Sequence, residues 1–155
     1  MPTDVHPNRT LWLLSLAHLV NHAQAVLLPI VYLRIIDEFG VTAETIALLA
    51  AAGAFASGAV QLSYAKLTRM ISRRKLLAAG GILFGGGFAA QAAAPTFASF
   101  AAVNVVSRIG GSPQHPVGNG LLAEQFPEHR RGFAISATSP AATLGRSWSR
   151  WLAIR

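Results

Sequence analysis

Cysteine is absent from the 155-residue chain, which excludes disulfides and thiolate metal sites. Charge is scarce as well: 12% of residues are charged, about half the soluble average. Acids are the scarcest charged class, and the six present are Asp4, Asp37, Glu38, Glu44, Glu124 and Glu128. None lies deep in an apolar stretch beside a plausible nucleophile, so an enzyme is not expected. No phosphate-binding glycine loop ending in Lys-Ser or Lys-Thr occurs, which argues against an ATP-driven pump, and no cofactor is expected. What remains is a chain that is 52% hydrophobic, with a formal charge of +7 and a pI near 11.4. A basic nucleic-acid-binding domain carries its Lys and Arg on a solvated face among other charges. Here the bases sit between long uncharged stretches instead, so the charge reads as loop charge and no nucleic acid is expected as a partner.

A bilayer core about 30 Å thick needs roughly 20 apolar residues in a helix. Four windows of that kind follow one another: residues 11–36, 45–65, 76–94 and 97–126. The first has Thr10 as a candidate N-cap and is closed by Asp37-Glu38-Phe39-Gly40. The third holds no charge and stops at Pro95; the fourth is interrupted by Arg108, Pro113 and Pro116. The polar segment 1–10 precedes a run too long for a signal-peptide h-region, so the first helix is expected to stay in the membrane. The first connection is net acidic, and the third is uncharged. The second carries Lys66, Arg69, Arg73, Arg74 and Lys75, and the fourth carries Arg130 and Arg131. The positive-inside rule then makes the second and fourth connections cytoplasmic, and the N-terminus with them. The expected location is the inner (plasma) membrane, crossed several times, with the lipid bilayer as a partner.

Glycine and alanine are abundant inside the windows, as in Gly53, Gly58, Gly80-Gly81, Gly85-Gly86-Gly87 and Gly110-Gly111. In water each helical glycine costs about 1 kcal/mol against alanine. In lipid, small residues instead let helix backbones approach closely. These helices are therefore expected to pack on other helices.

The first window is polar in its middle. His18, Asn21 and His22 share one helix face by their i, i+3, i+4 spacing, and Gln24 follows. Polar groups at that depth are costly unless they face a protein interior or a watery cavity. Two readings stay open: a face that handles substrate or protons, or hydrogen bonding that only holds helices together. His18 and His22 have a spacing that suits a metal, but no carboxylate or third ligand is evident, so none is assigned. The fourth window carries Arg108, with Gln114 and His115 between two prolines. Arg108 can hold an anionic substrate or orient a proton-carrying group; alternatively it reaches an interface or a neighbouring helix end.

The basic connection attracts anionic headgroups by charge alone. Its spacing says more. Tyr64-Ala65-Lys66-Leu67-Thr68-Arg69-Met70-Ile71-Ser72-Arg73-Arg74 resembles the loop between the second and third helices of the major facilitator superfamily, Gly-x-Leu-Ala-Asp-Arg-x-Gly-Arg-Arg. Leu67, Arg73 and Arg74 match without a gap, whereas Ala65 and Ser72 replace glycines, Arg69 the aspartate and Met70 an arginine. In the family that aspartate latches one conformation, so a latch here must use other groups. The first helix is similar to the His-x-x-Asn-Asp, Leu-Pro pattern of fosmidomycin-resistance-like efflux and metabolite transporters through His18, Asn21, Leu28 and Pro29, with His22 in place of the acid. Gln61 and the string Gly111-Ser112-Pro113-Gln114-His115-Pro116 fit as well.

The resemblance implies an all-α membrane fold, with about four transmembrane helices of a six-helix half, truncated in the fifth. It covers residues 11–137. It implies secondary transport of a small molecule by alternating access, coupled to protons, with Lys66, Arg69, Arg73, Arg74 and Lys75 in a cytoplasmic gating loop. The alternatives are an inactive fragment, or a small membrane subunit that needs a partner. After Ala137 the character changes: Arg146, Trp148, Arg150, Trp151 and Arg155 stand where a fifth apolar helix, begun at Phe133, is due. Residues 138–155 are expected to be a frameshifted tail, since GC-rich codons for them reread in another frame as an apolar, glycine-rich stretch. The alternative is an amphipathic tail at the headgroup level.

Overall fold

The computed structural model describes residues 6–139, with the backbone alone over 25–29. The described residues form helices and turns, without strands. The elements are α1 (Pro7–Phe39), α2 (Ala43–Gln61), α3 (Tyr64–Met70), α4 (Arg73–Gln91), α5 (Phe97–Gly111), a 3-10 turn (Ser112–Gln114), α6 (Pro116–Gln125) and α7 (Glu128–Ala137). The altered tail expected over 138–155 lies almost wholly outside the described residues.

Local chemistry sets most boundaries. α1 starts four residues earlier than expected, because Pro7 occupies the first turn, where its missing N–H costs nothing. Thr10 is therefore not a cap but an interior residue, its N–H bonded to the carbonyl of His6. At the other end Gly40 adopts φ 62°, and the N–H of Val41 reaches the carbonyl of Ile36. A residue with a Cβ would be strained at that φ. Thr42 and Ser72 cap α2 and α4 through their hydroxyls, and Thr96 with Ser99 forms a reciprocal capping box on α5.

Two expected boundaries shift. The second window ends at Gln61, and the basic connection contains a short helix, α3, that carries Lys66 and Arg69. Arg73, Arg74 and Lys75 form the first turn of α4, which thus begins before Leu76. The fourth window is not one helix but α5, the 3-10 turn and α6. Pro113 lies inside the turn and Pro116 starts α6, since neither can donate to the hydrogen-bond ladder. Among the described residues one helix, Ala43–Gln61, is long and apolar enough by itself to cross a membrane.

Apolar contacts gather at the two ends. Ile35, Ile46, Leu49 and Phe100 pack at one end, beside a triangle of Phe39, Phe97 and Phe100 with ring centroids 6.3–6.4 Å apart. Leu122, Phe126 and Ala134 pack at the other, against Leu11 and Leu14. Between them α4 and α5 meet through glycine: a Cβ on Gly110 would fall 2.5 Å from the backbone nitrogen of Phe84, and one on Gly80 2.6 Å from the carbonyl oxygen of Gly110. Ser107 donates to the carbonyl of Phe84 at 2.8 Å across the same seam. Exposure runs opposite to that of a water-soluble domain. Trp12, Phe55, Leu62 and Ile82 are more than three-quarters exposed, while His18, Gln24, Gln91, Asn104 and Ser107 are buried. That arrangement suits a hydrocarbon solvent, in which polar groups must find partners inside the protein.

Candidate functional site

Polar side chains in the middle of the helices form two constellations. The first joins α1 to the broken stretch after α5. The i, i+4 spacing stacks His18 on His22, with Nε2 atoms 2.8 Å apart and ring centroids at 4.7 Å. His115 meets His18 edge-on at 4.8 Å. One turn away, the Asn21 amide donates to Oε1 of Gln114, whose own amide donates to the carbonyl of Leu14 at 3.2 Å. His18 is buried, whereas His22 and His115 are exposed, so the cluster opens to the outside of the described bundle. The backbone break makes this possible. Pro113 and Pro116 end one helix and start another, and the turn between them aims Gln114 and His115 at α1.

The cluster sets three imidazoles in direct contact. A 2.8 Å contact between two imidazole nitrogens requires a proton on one and a lone pair on the other. In the neutral pair one Nε2 thus donates to the other, with His115 against the buried member. Among the described residues no three His, Cys, Asp or Glu side chains are arranged so that they could hold a metal ion together.

The second constellation surrounds Arg108. Its Nε donates to Oδ1 of Asn104 at 3.1 Å, and a terminal nitrogen donates to the Tyr32 hydroxyl of α1 at 3.1 Å. The Asn104 amide donates in turn to Oε1 of Gln91 at 2.9 Å, and Gln91 to the carbonyl of Gly87 at 3.4 Å. A chain of neutral partners thus links α1, α5 and α4 through a single cation. Gly53 of α2 makes room for it, since a Cβ there would lie 2.4 Å from Cδ of Arg108. No acid pairs with Arg108: the ion pair among the described residues is elsewhere. The guanidinium is held within the bundle by Tyr32 and Asn104 and does not run to a helix end.

The basic segment is less uniform than its sequence. Lys66, Arg69, Arg74 and Lys75 are exposed. Arg73 alone among them crosses to another element, pairing with Glu124 of α6. Gly120 admits it, because a Cβ there would meet Nε of Arg73 at 2.9 Å. Nearby, Tyr64 of α3 donates its hydroxyl to Ser112 at 2.6 Å, while Ser112 donates to the carbonyl of Ile109. Charge contacts and hydroxyl contacts thus fix the basic segment against the second half of the broken helix.

The structure brings together His18, Asn21, His22, Gln114 and His115, and leaves two candidates apart from them. Arg108 belongs to its own network. Gln24 is buried, and its Oε1 has no partner among the described residues. Sequence reasoning missed Tyr32, Gln91, Asn104 and Glu124. Asn104 had a signal, since it stands four residues before Arg108 in an otherwise apolar helix. Tyr32 and Gln91 had none, because their role depends on which helices become neighbours.

A profile of the Major Facilitator Superfamily matches residues 14–148. No curated protein and no solved structure matches the chain. The profile spans both polar constellations and the basic segment, and the all-helical fold with its buried polar middle agrees with it. The chain therefore belongs to the Major Facilitator Superfamily, a family of membrane transport proteins.

Proposed function

We propose that the chain takes part in secondary transport of a small molecule by alternating access, coupled to protons, in the inner membrane. The observation that carries this reading is the three-imidazole cluster joined to a broken helix: His18 and His22 hydrogen-bonded through their Nε2 atoms, with His115 against His18. In this reading His22, which stands where related transporters carry an acid, does the proton handling, and Asn21 and Gln114 line the same path. Arg108 holds the second polar level and attracts a substrate with negative or strongly electronegative groups. The similarity of the first helix to fosmidomycin-resistance-like transporters supports efflux as the direction. Four spans, an N-terminus in the cytoplasm and a cytoplasmic gating segment at residues 66–75 complete the proposal.

The function is tested in proteoliposomes that hold a pH-sensitive dye and face a panel of small anionic and amphiphilic compounds. Substrate-dependent proton movement is expected, with its loss in His22→Ala and in Arg108→Gln. Proton movement that survives His22→Ala rejects the imidazole route. Absence of any substrate-dependent signal from the chain alone rejects independent transport, and leaves the readings of an inactive fragment and of a subunit that needs a partner. Topology has a separate test, because the chain lacks cysteine. Arg69→Cys should be shielded in intact cells from a membrane-impermeant maleimide, whereas Ala43→Cys and Ala93→Cys should react.

A further inference from the structure

Two adjoining cavities lie between α1 and α4. The first, about 440 Å³, has His6, Arg9 and Arg74 at its mouth. The second, about 370 Å³, continues inward as far as Asn21 and Gln114. Leu13, Leu14 and Leu77 line both, so the two form one groove with a basic mouth and an apolar shaft. We infer that this groove is a binding site for one anionic phospholipid, with its phosphate between Arg9 and Arg74 and an acyl chain along the shaft.

Three observations carry the assignment. The first is length. From Arg9 to Val20 on α1, and from Arg74 to Gly85 on α4, eleven residues of helix rise about 17 Å. One leaflet of a hydrocarbon core is about 15 Å thick. The second is charge. Arg9 and Arg74 are exposed, and neither has an ion-pair partner among the described residues. Two guanidiniums across a mouth match a phosphodiester, which takes forked hydrogen bonds from each. The third is shape. A helix about 10 Å across filling the same 17 Å would displace on the order of 1,300 Å³. The two cavities together fall short of that by about 40%. The shaft is open along its α4 wall because Gly81 and Gly85 stand there, and a Cβ at either would point into open space. The inner end of the shaft borders the histidine constellation at Asn21 and Gln114, while mouth and shaft lie outside the Arg108 network.

The test is competitive retention by the purified full chain in neutral detergent, read by native mass spectrometry. Phosphatidylglycerol and phosphatidylcholine are offered at equal concentration. The wild type should retain phosphatidylglycerol preferentially. Arg9→Gln and Arg74→Gln should each lower that preference by about fivefold, as expected for one basic contact to an anionic lipid. Lys66→Gln with Lys75→Gln should leave it within about twofold, since these bases lie off the groove. Gly81→Leu, whose Cβ meets no other atom and whose side chain enters the shaft, should reduce retention of both lipids while circular dichroism stays unchanged. Three results overturn the proposal: equal loss in the Lys66 and Lys75 control, which means diffuse attraction; displacement of the lipid by glycerol phosphate alone, which means a headgroup ion site; or no lipid retained while the groove cross-links two copies of the chain, which means a helix docks there.

Discussion

α1 and the α4–α5 pair solve the same problem in opposite ways. α4 and α5 meet backbone to backbone through Gly80 and Gly110, leaving no room for a methyl group at either position. α1 touches its neighbours mainly at its ends and through polar side chains, while Leu13, Leu16, Leu19 and Val20 stay exposed along its length. In lipid, apolar surface gains nothing by leaving hydrocarbon, so helices associate through close packing or through hydrogen bonds. The α4–α5 seam uses the first means and α1 the second. A seam held by backbone fit is rigid, because any displacement loses many dispersion contacts at once. A helix held by a few hydrogen bonds at its middle can exchange partners. The region that carries the histidines is therefore expected to shift more readily than the α4–α5 framework.

The largest effect should come from the seam. Gly110→Ala places a methyl within 2.9 Å of Phe84 N, Gly80 O and Leu83 C, all of them backbone atoms that cannot swing aside. Overpacking of that kind costs typically 1–3 kcal/mol, so a drop of about 2 kcal/mol is expected in reversible unfolding in micelles. Gly81→Ala, one residue from Gly80 but facing open space, is the matched control and should change stability by less than about 0.5 kcal/mol. Equal losses in the two variants would break the contrast, since alanine favours the helix at both positions and a shared loss would not come from fit at the seam.

Next in size is the Arg108 network, which ties the framework to α1. Asn104→Ala removes the acceptor for Nε of Arg108 and the donor to Gln91 together, leaving two buried groups unsatisfied. Each orphaned polar group costs roughly 1 kcal/mol, so a loss of about 2 kcal/mol is expected in the same unfolding measurement. Tyr32→Phe removes one contact to Arg108 and should cost less than about 1 kcal/mol. If Tyr32→Phe proves as damaging as Asn104→Ala, α1 is not the loosely held partner.

The sequence legibly carries the framework, the polar face and the family, for different reasons. His18, Asn21 and His22 could be seen as one face because a helix places i, i+3 and i+4 together whatever surrounds it. Glycine inside apolar windows announced close helix contact, since only packing in lipid rewards it. The break after Gly111 was visible in Pro113 and Pro116, although the division into α5, a turn and α6 was not. Contacts between distant helices were illegible. Nothing near Tyr32 or Gln91 in sequence marks them as partners of the Arg108 network, and Glu124 gave no sign that it would meet Arg73. The start of α1 was misplaced because Thr10 is a strong capping residue type and Pro7 a still better first-turn residue.

For the histidine cluster, stability and function should separate. His18→Ala and His22→Ala each remove a side-chain hydrogen bond on a partly exposed helix, with no backbone clash and no buried charge. Interhelical hydrogen bonds in membranes average about 0.6 kcal/mol, so unfolding should shift by less than about 1 kcal/mol. Proton movement in the dye assay should nevertheless be lost. A variant that loses both would recast the cluster as a structural clasp, which is the other reading left open by its spacing.

The smallest effect belongs to the pair between Arg73 and Glu124, and it tests the moving side of the comparison from its edge. Both side chains are partly exposed, Glu124 by more than half, so solvent and salt screen their attraction. Surface pairs of that kind contribute typically 0.2–1 kcal/mol, and about 0.5 kcal/mol is expected here from a double-mutant cycle of Arg73→Gln and Glu124→Gln. The coupling should shrink further at high salt. Its importance is positional: it joins the first turn of α4, in the rigid framework, to α6, which lies below the break that aims Gln114 and His115 at α1. If the pair acts as a latch on that movable segment, Glu124→Gln will change the rate of cysteine labelling at Gln114→Cys while leaving unfolding nearly unaltered. If labelling stays the same while the cycle still returns about 0.5 kcal/mol, α6 moves with the framework, and the mobile region contracts to α1 alone.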